Sequence, residues 1–404
     1  MRPELQILVH PPFRRLFLAR TLSLLGSAMA PVALAFAVLD QTHGAVAKLG
    51  IVLFARAAAQ LAFLLPGGIL ADRISRRQQM LAAEVLSGCS QAAMAALFLT
   101  HSATVPSLVA CAAVHGFAEA MFLPASVGIL PSVVPRDQLQ PANALIGSSI
   151  SAVTIVGSLV AGLLVATIGA GWAIAADAAT YLGSAVLLAG MRIVPAVIAA
   201  SGQRASVFSD LREGWQAFSS RQWVWVIVLQ FSLINMCFNG GFYVLGPEIA
   251  RRSLGGAPAW AAILACDGAG LLIGNLAGIR LRPRRPIRFA TLATFGFVPP
   301  FVMLGIGAPL WLVGTAALVT GMSIAVFDVQ WSTALQVHIP ERALSRVSSY
   351  DMLGSFMLGP LGMIAVGPVA THIGFSQTLI GGAVLMAAMT ALALLSPSVR
   401  NLPA

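Results

Sequence analysis

The chain has 404 residues, 58% of them hydrophobic and only 9% charged, with a mean hydropathy of +0.87 and a formal net charge of +10. A water-soluble domain carries about a quarter charged residues, so water is excluded as the main solvent of this surface. The positive charge does not point to nucleic acid, because the basic residues recur in short loops between apolar runs instead of forming one patch.

Those runs, about 20 residues each, have the length that carries a helix across a bilayer. Lipid offers no partner for stray backbone groups, and the alternation of a barrel strand is missing, so helices are expected. Twelve spans are predicted, near 14–39, 46–71, 78–100, 104–131, 140–167, 170–191, 222–246, 257–279, 287–306, 309–335, 346–371 and 374–396. The first follows Arg14 and Arg15 and runs on to Leu39, too long for a signal-peptide core, so it reads as a retained span.

Span 2 carries Arg56 and ends in the stretch GGILADRISRR, Gly67 to Arg77, the densest ionic patch of the first half. Gly67 and Gly68 let a neighbouring helix approach closely. Asp72 can face the positive end of an adjacent helix, and Arg73, Arg76 and Arg77 can reach carboxylates or phosphates. Contacts of that kind, made in one conformation and broken in another, would act as a latch. Glu84 in span 3 is expected to meet the basic loops at the same end.

Span 4 places His115 and Glu119 four residues apart on one helical face. Ionisable groups inside a bilayer are costly and normally mark a pathway or relay, which makes this pair the leading proton or cation site, with a carboxyl neutralised by a structural partner as the alternative. Span 6 carries Asp177 at a depth similar to Arg56, and the two are expected to form an intramembrane ion pair. Residues 1–192 thus form a first six-span unit.

Hydrophobicity lapses over 193–221, which reads as a linker. Leu211, Trp215 and Phe218 share a helical face there, so a short helix at the membrane surface is expected, with an irregular linker as the alternative. Residues 222–404 form the second unit. Span 7 offers Gln230, Asn235, Asn239 and Tyr243, with Asn235 and Asn239 one turn apart, as cavity-lining candidates beside Ser23 and Ser27 of span 1. Asp267 in span 8 is a candidate gate. Span 10 offers Asp328, with Gln330 nearby and Trp331 as a candidate stacking surface, for substrate or coupling, with helix packing or gating as the alternative. Asp351 is expected to cap the start of span 11.

The halves resemble each other. Shifted by 205 residues, 116–169 aligns with 321–374 without a gap, pairing Gly116 with Gly321, Phe122 with Phe327, Pro135 with Pro340, Gly157 with Gly362 and Gly169 with Gly374. Duplicated six-helix halves are a transporter architecture with the substrate route between them. Of the 24 basic residues, 20 fall on one side if the N-terminus is inside, while Lys48, Arg251 and Arg252 fall on the other. That asymmetry predicts a multi-pass protein of the cytoplasmic membrane with both termini cytoplasmic, in contact with anionic membrane lipid.

Gly68, Leu70, Ala71, Asp72, Arg73, Arg76 and Arg77 match the loop between spans 2 and 3 of the major facilitator superfamily, which the chain resembles along essentially its whole length. VPRDQLQPANAL, Val134 to Leu145, and the stretch Phe13 to Asp40 are similar to the branch containing macrolide-efflux and enterobactin-export proteins. The resemblance implies an all-α fold of two pseudo-symmetric six-helix bundles, with spans 1, 4, 7 and 10 around a central cavity. It also implies proton-driven export, with the motif aspartate holding the inner gate shut. The chain departs from the pattern at Ser75, where a glycine is usual, at Ala112, where an arginine is, and at Ser158, where a proline is.

The sparse polarity of these spans favours small amphipathic cargo. An exporter working as a monomer, with protons as co-substrate, is therefore expected, and an importer or facilitator on the same scaffold is the alternative. Cys89, Cys111, Cys237 and Cys266 lie scattered in spans, and five of the six histidines lie near span ends or in loops, so neither a metal site nor another cofactor is expected. The chain has no phosphate-cradling glycine loop with its lysine and no clustered nucleophile, so it does not read as an enzyme.

Overall fold

A computed structural model of the protein describes residues 9–71, 74–135, 138–191, 212 and 215–403. Among the described residues there is no strand, and twelve helices are long and apolar enough to cross a membrane. They are α1 (Pro11–Gln41), α2 (Val46–Ala71), α3 (Arg76–Leu99), α4 (Val105–Gly128), α5 (Leu139–Ile168) and α6 (Ala170–Ala189), followed by α7 (Gln222–Leu254), α8 (Ala257–Arg280), α9 (Pro286–Gly305), α10 (Leu310–His338), α11 (Glu341–Phe356 and Gly359–Ile373) and α12 (Phe375–Leu395).

The starts and stops follow local chemistry. Pro11 opens α1 and Pro106 stands in the first turn of α4, positions where a missing backbone N–H costs nothing. Thr104 and Ser107 close a reciprocal capping box on α4, with the Ser107 amide donating to Thr104 Oγ1 over 3.3 Å. The α5–α6 and α11–α12 connections each turn on one glycine, Gly169 and Gly374, both with φ of +95°.

Two helices differ from the sequence expectation. The seventh does not end near 246 but continues through Gly246 and Pro247 to Leu254, because the π-helical segments Gly241–Leu245 and Ala250–Leu254 absorb the proline without a break. The eleventh begins at Glu341, ten residues before Asp351, so Asp351 is a mid-helix residue and not a cap.

The chain separates into two compact units, Met1–Ile198 with Gly255–Ala265, and Ala199–Leu254 with Cys266–Ala404. Within the first, α2 packs on α4, α1 on α5 and α6, and α3 on α4 and α6. Within the second, the equivalent pairs recur: α7 packs on α11 and α12, and α9 on α10 and α12, while α8 meets α10 at Gly270, Gly274 and Gly321.

The repeat is written into the glycines. A Cβ at Gly116 would overlap the carbonyl oxygen of Arg56, and one at Gly321 would overlap that of Asp267. A Cβ at Gly157 would stand 2.9 Å from the carbonyl oxygen of Leu25, and one at Gly362 would overlap that of Met236. Spans 4 and 5 therefore map onto spans 10 and 11 at an offset of 205 residues, and spans 1 and 2 onto 7 and 8 at an offset of 211. Close backbone approach at small residues is how helices associate where no hydrophobic driving force separates protein from lipid.

Of the linker, residues 215–219 are helical. Phe218 is buried, and Tyr350 meets Trp215 edge to face at 5.6 Å and Phe218 at a tilt at 5.9 Å. Leu211 lies outside the described residues.

Candidate functional site

The charged centre of the first unit is built on α2, α4 and α6. Gly116 brings the backbones of α2 and α4 together, so that Arg56 and Glu119 meet. Arg56 donates from Nε to Glu119 Oε2 (3.0 Å) and from a terminal nitrogen to Oε1 (2.6 Å), a two-pronged contact. Their side chains are 23% and 18% exposed. His115, a turn before Glu119, is fully buried with Nε2 3.6 Å from Oε1. From that nitrogen a polar chain continues to the Tyr181 hydroxyl (3.5 Å) and on to Ser27 Oγ (2.8 Å) on α1. The His115 and Tyr181 rings meet edge to face at 5.3 Å.

The expected pairing of Arg56 with Asp177 is replaced by this one. Asp177, fully buried on α6, takes its hydrogen bond from Gln91 Nε2 of α3 at 2.5 Å. The reason is helix proximity: the α2–α4 contact at Gly116 puts Glu119 beside the guanidinium, while Asp177 sits where α6 meets α3. Asp177 also lies against Gly26 of α1, where a Cβ would overlap its carboxylate. Glu84 does not reach the basic loops. It is buried inside the unit beside the hydroxyls of Ser23 and Ser184.

Around the signature loop, Asp72 and Arg73 lie outside the described residues, and Gly68 belongs to the last turn of α2. Gly67 packs against α4, where a Cβ would be 2.5 Å from the carbonyl oxygen of Ala120. Arg76 donates to the carbonyl of Gly128 at the end of α4. Arg77 donates to the carbonyls of Leu188 (2.9 Å) and Ala189 at the end of α6. Both arginines thus satisfy carbonyls that a helix leaves without partners at its C-terminus. Gln79 bridges the Gly67 and Met121 carbonyls at 2.9 Å each, tying α2, α3 and α4 together.

The second unit is organised differently. Asn235 donates to the Ser355 carbonyl at 3.0 Å and Asn239 to the Asn235 carbonyl at 2.8 Å, so both amides serve the helix backbone. Gln230 joins Thr294 and Thr390 in a buried hydrogen-bonded triad. Trp331 is not an open stacking surface. It is buried, stacked on Phe327 at 5.9 Å and edge-on to Trp223 at 5.4 Å, and its indole nitrogen donates to Asp351 at 2.9 Å. Asp328, on the same helix, is exposed, and Gln330 donates to the Leu281 carbonyl. Asp267 is half-buried on α8.

At the repeat offsets, Arg56, His115, Glu119 and Asp177 correspond to Asp267, Thr320, Ile324 and Gly382. The Arg56–Glu119–His115 cluster therefore has no counterpart at the equivalent positions of the second half. A further ionic group, on α7, is one that the sequence reading misses: Glu248 is fully buried and accepts from Arg251 (2.7 and 2.8 Å) and Arg252 (2.5 Å). Arg252 also lies over the Phe375 ring at 4.9 Å. Among the described residues, no three His, Cys, Asp or Glu side chains are placed to hold a metal ion.

Comparison with known proteins agrees with this architecture. Enterobactin exporter EntS of Shigella boydii serotype 18 is 27% identical over 391 residues, covering 93% of this chain and 92% of the relative. EntS of Escherichia coli O139:H28 matches with the same identity and coverage. Among solved structures, a point mutant of the nucleoside transporter NupG superposes with a TM-score of 0.80 at 13% identity, over 95% of this chain and 99% of that one. A bacterial homologue of the human lysosomal transporter Spinster, inward-facing and unoccupied, superposes with a TM-score of 0.72 at 15% identity, over 99% and 98%. At such identities these structures speak for the fold alone. The sequence profile described as Major Facilitator Superfamily matches residues 16–363, so this chain, with its twelve membrane-spanning helices and its duplicated halves, belongs to that superfamily of transporters.

Proposed function

We propose that the protein exports small amphipathic compounds across the cytoplasmic membrane in exchange for protons, by alternating access of its two halves, with both termini in the cytoplasm. The observation that carries this reading is the cluster Arg56–Glu119–His115–Tyr181–Ser27, a carboxylate with a fixed counter-charge and a chain of exchangeable hydrogens inside a membrane-spanning bundle. A positioned carboxylate that gains a proton loosens its guanidinium partner, and that change can bias one conformation over another. Export and cargo class are supported by the similarity to the enterobactin exporters EntS and by the sparse polarity of the helices. Asp72 is assigned the inner latch, Asp328 a place in the substrate or coupling route, and the chain is taken to work as a monomer without a bound cofactor.

The experiment is transport in proteoliposomes with an imposed pH gradient. Glu119→Gln is expected to retain substrate binding and lose gradient-driven accumulation. Asp72→Asn is expected to slow turnover while inserting normally. Unchanged gradient-driven transport by the Glu119 variant would remove proton coupling from this site, and accumulation in the opposite direction by the parent protein would identify an importer.

A further inference from the structure

The two units carry corresponding basic loops, between α2 and α3 and between α8 and α9, and use their arginines differently. In the first, Arg76 and Arg77 are spent on the carbonyls of Gly128, Leu188 and Ala189. In the second, Arg284, Arg285 and Arg288 are exposed, and among the described residues none has a carboxylate within 4.0 Å. Together with Pro283, Phe289 and Leu292 they line an open cleft of about 320 Å³.

Three guanidinium groups around one cleft repel one another unless an anion joins them. Their planar forks suit phosphate oxygens. The rest of the wall says which phosphate. Arg285, Phe289 and Leu292 follow at i, i+4 and i+7 along one face at the start of α9, and exposed Phe295 continues the apolar surface away from the loop. From Arg288 to Phe295 the helix rises roughly 10 Å, from the level of headgroups into that of acyl chains. A free phosphate would leave Phe289, Leu292 and Phe295 without use.

We infer that this cleft is a binding site for an anionic phospholipid, its phosphate held by Arg284, Arg285 and Arg288 and an acyl chain laid along Phe289, Leu292 and Phe295. The site depends on neither the direction of transport nor proton coupling. It would tie the α8–α9 end of the second unit to the lipid surface, as Arg76 and Arg77 tie the corresponding loop of the first to its own helices.

The test is lipid titration of the full-length purified protein, read by native mass spectrometry and thermal unfolding, with phosphatidylglycerol, phosphatidylethanolamine and inorganic phosphate as probes. Arg284→Gln/Arg288→Gln is compared with Arg280→Gln/Arg282→Gln, which removes equal charge from the end of α8 and the loop after it, outside the cleft. The cleft variant is expected to bind phosphatidylglycerol roughly 25-fold more weakly, and the control to stay within a factor of about three. Leu292→Gln is expected to weaken phosphatidylglycerol without a change in charge. Equal losses in both double variants would reduce the cleft to general surface charge and overturn the inference. Equal binding of phosphatidylethanolamine would also overturn it, as would stabilisation of the protein by inorganic phosphate to the same extent as by the lipid.

Discussion

Arg56 and Glu119, on neighbouring helices of the first unit, share two hydrogen bonds of 2.6 and 3.0 Å directly beside the glycine that lets those helices touch. The contact joins packing to charge: the same close approach that removes a side chain at Gly116 brings the guanidinium to the carboxylate. Removing one partner leaves the other charge in a poorly solvated place.

Arg56→Met and Glu119→Gln are therefore each expected to destabilise the protein by about 2–3 kcal/mol, and the double variant by less than the sum. The coupling energy should be at least about 1 kcal/mol in a double-mutant cycle read by unfolding in detergent. Additive losses would mean that the pair contributes nothing jointly.

The glycine contacts make a second expectation. Gly116→Ala and Gly321→Ala each force a methyl group into a backbone carbonyl of the facing helix, at Arg56 and at Asp267. Both should lower the folded yield and the melting temperature. Gly381→Ala, in α12 with nothing within 4 Å of the new methyl, should leave both unchanged or raise them slightly.

Much of this architecture is legible in the sequence, and what is not has physical reasons. Span number follows from hydropathy, because a bilayer imposes one length on every helix. The paired glycines of the repeat are visible because glycine and proline mark contact and turn positions against a uniform apolar background. Partner choice is not legible. Arg56 and Asp177 look matched in depth, but depth says nothing about which helices touch, and Gln91 captures the aspartate instead. Trp331 resembles a cargo platform until its neighbours Phe327 and Trp223 enclose it. Glu248 escapes notice because Gly246-Pro247 reads as a helix end, whereas the π-helical segments carry the chain onward. Gln91 and Tyr181, polar residues on otherwise apolar helices, are the available signals for the network around the candidate site.

Glu248 supplies a third expectation. Its carboxylate is fully buried, while Arg251 and Arg252 are 33% and 57% exposed. The cost of losing the acid is thus softened, because water reaches the arginines left behind. Glu248→Gln should cost about 1–3 kcal/mol. Arg252→Gln should cost less, since Arg251 still supplies two hydrogen bonds. Thermal unfolding of the three proteins checks the order, and a larger loss for Arg252→Gln would reverse the assignment.

Gly169 and Gly374 hold matching backbone angles, φ +95° with ψ of 159° and 155°. Side-chain-bearing residues essentially never occupy that region, so alanine at either turn should cost about 1–3 kcal/mol. Around Gly169 there is empty space, so the loss there would be conformational and not steric. A melting temperature unaffected by Gly169→Ala would show that the α5–α6 turn rearranges freely.

The backbone repeat and the ionic chemistry obey different symmetries, and this limits what recombination can do. A chimera made of two first halves would set a second arginine where Asp267 stands and a second glutamate where Ile324 stands. One made of two second halves would lack both Arg56 and Glu119, with Asp267 and Ile324 in their places twice over. The two halves thus share a packing scaffold at their glycines while differing in the charges set upon it, so exchanging one for the other would keep the helix contacts and change the intramembrane charge.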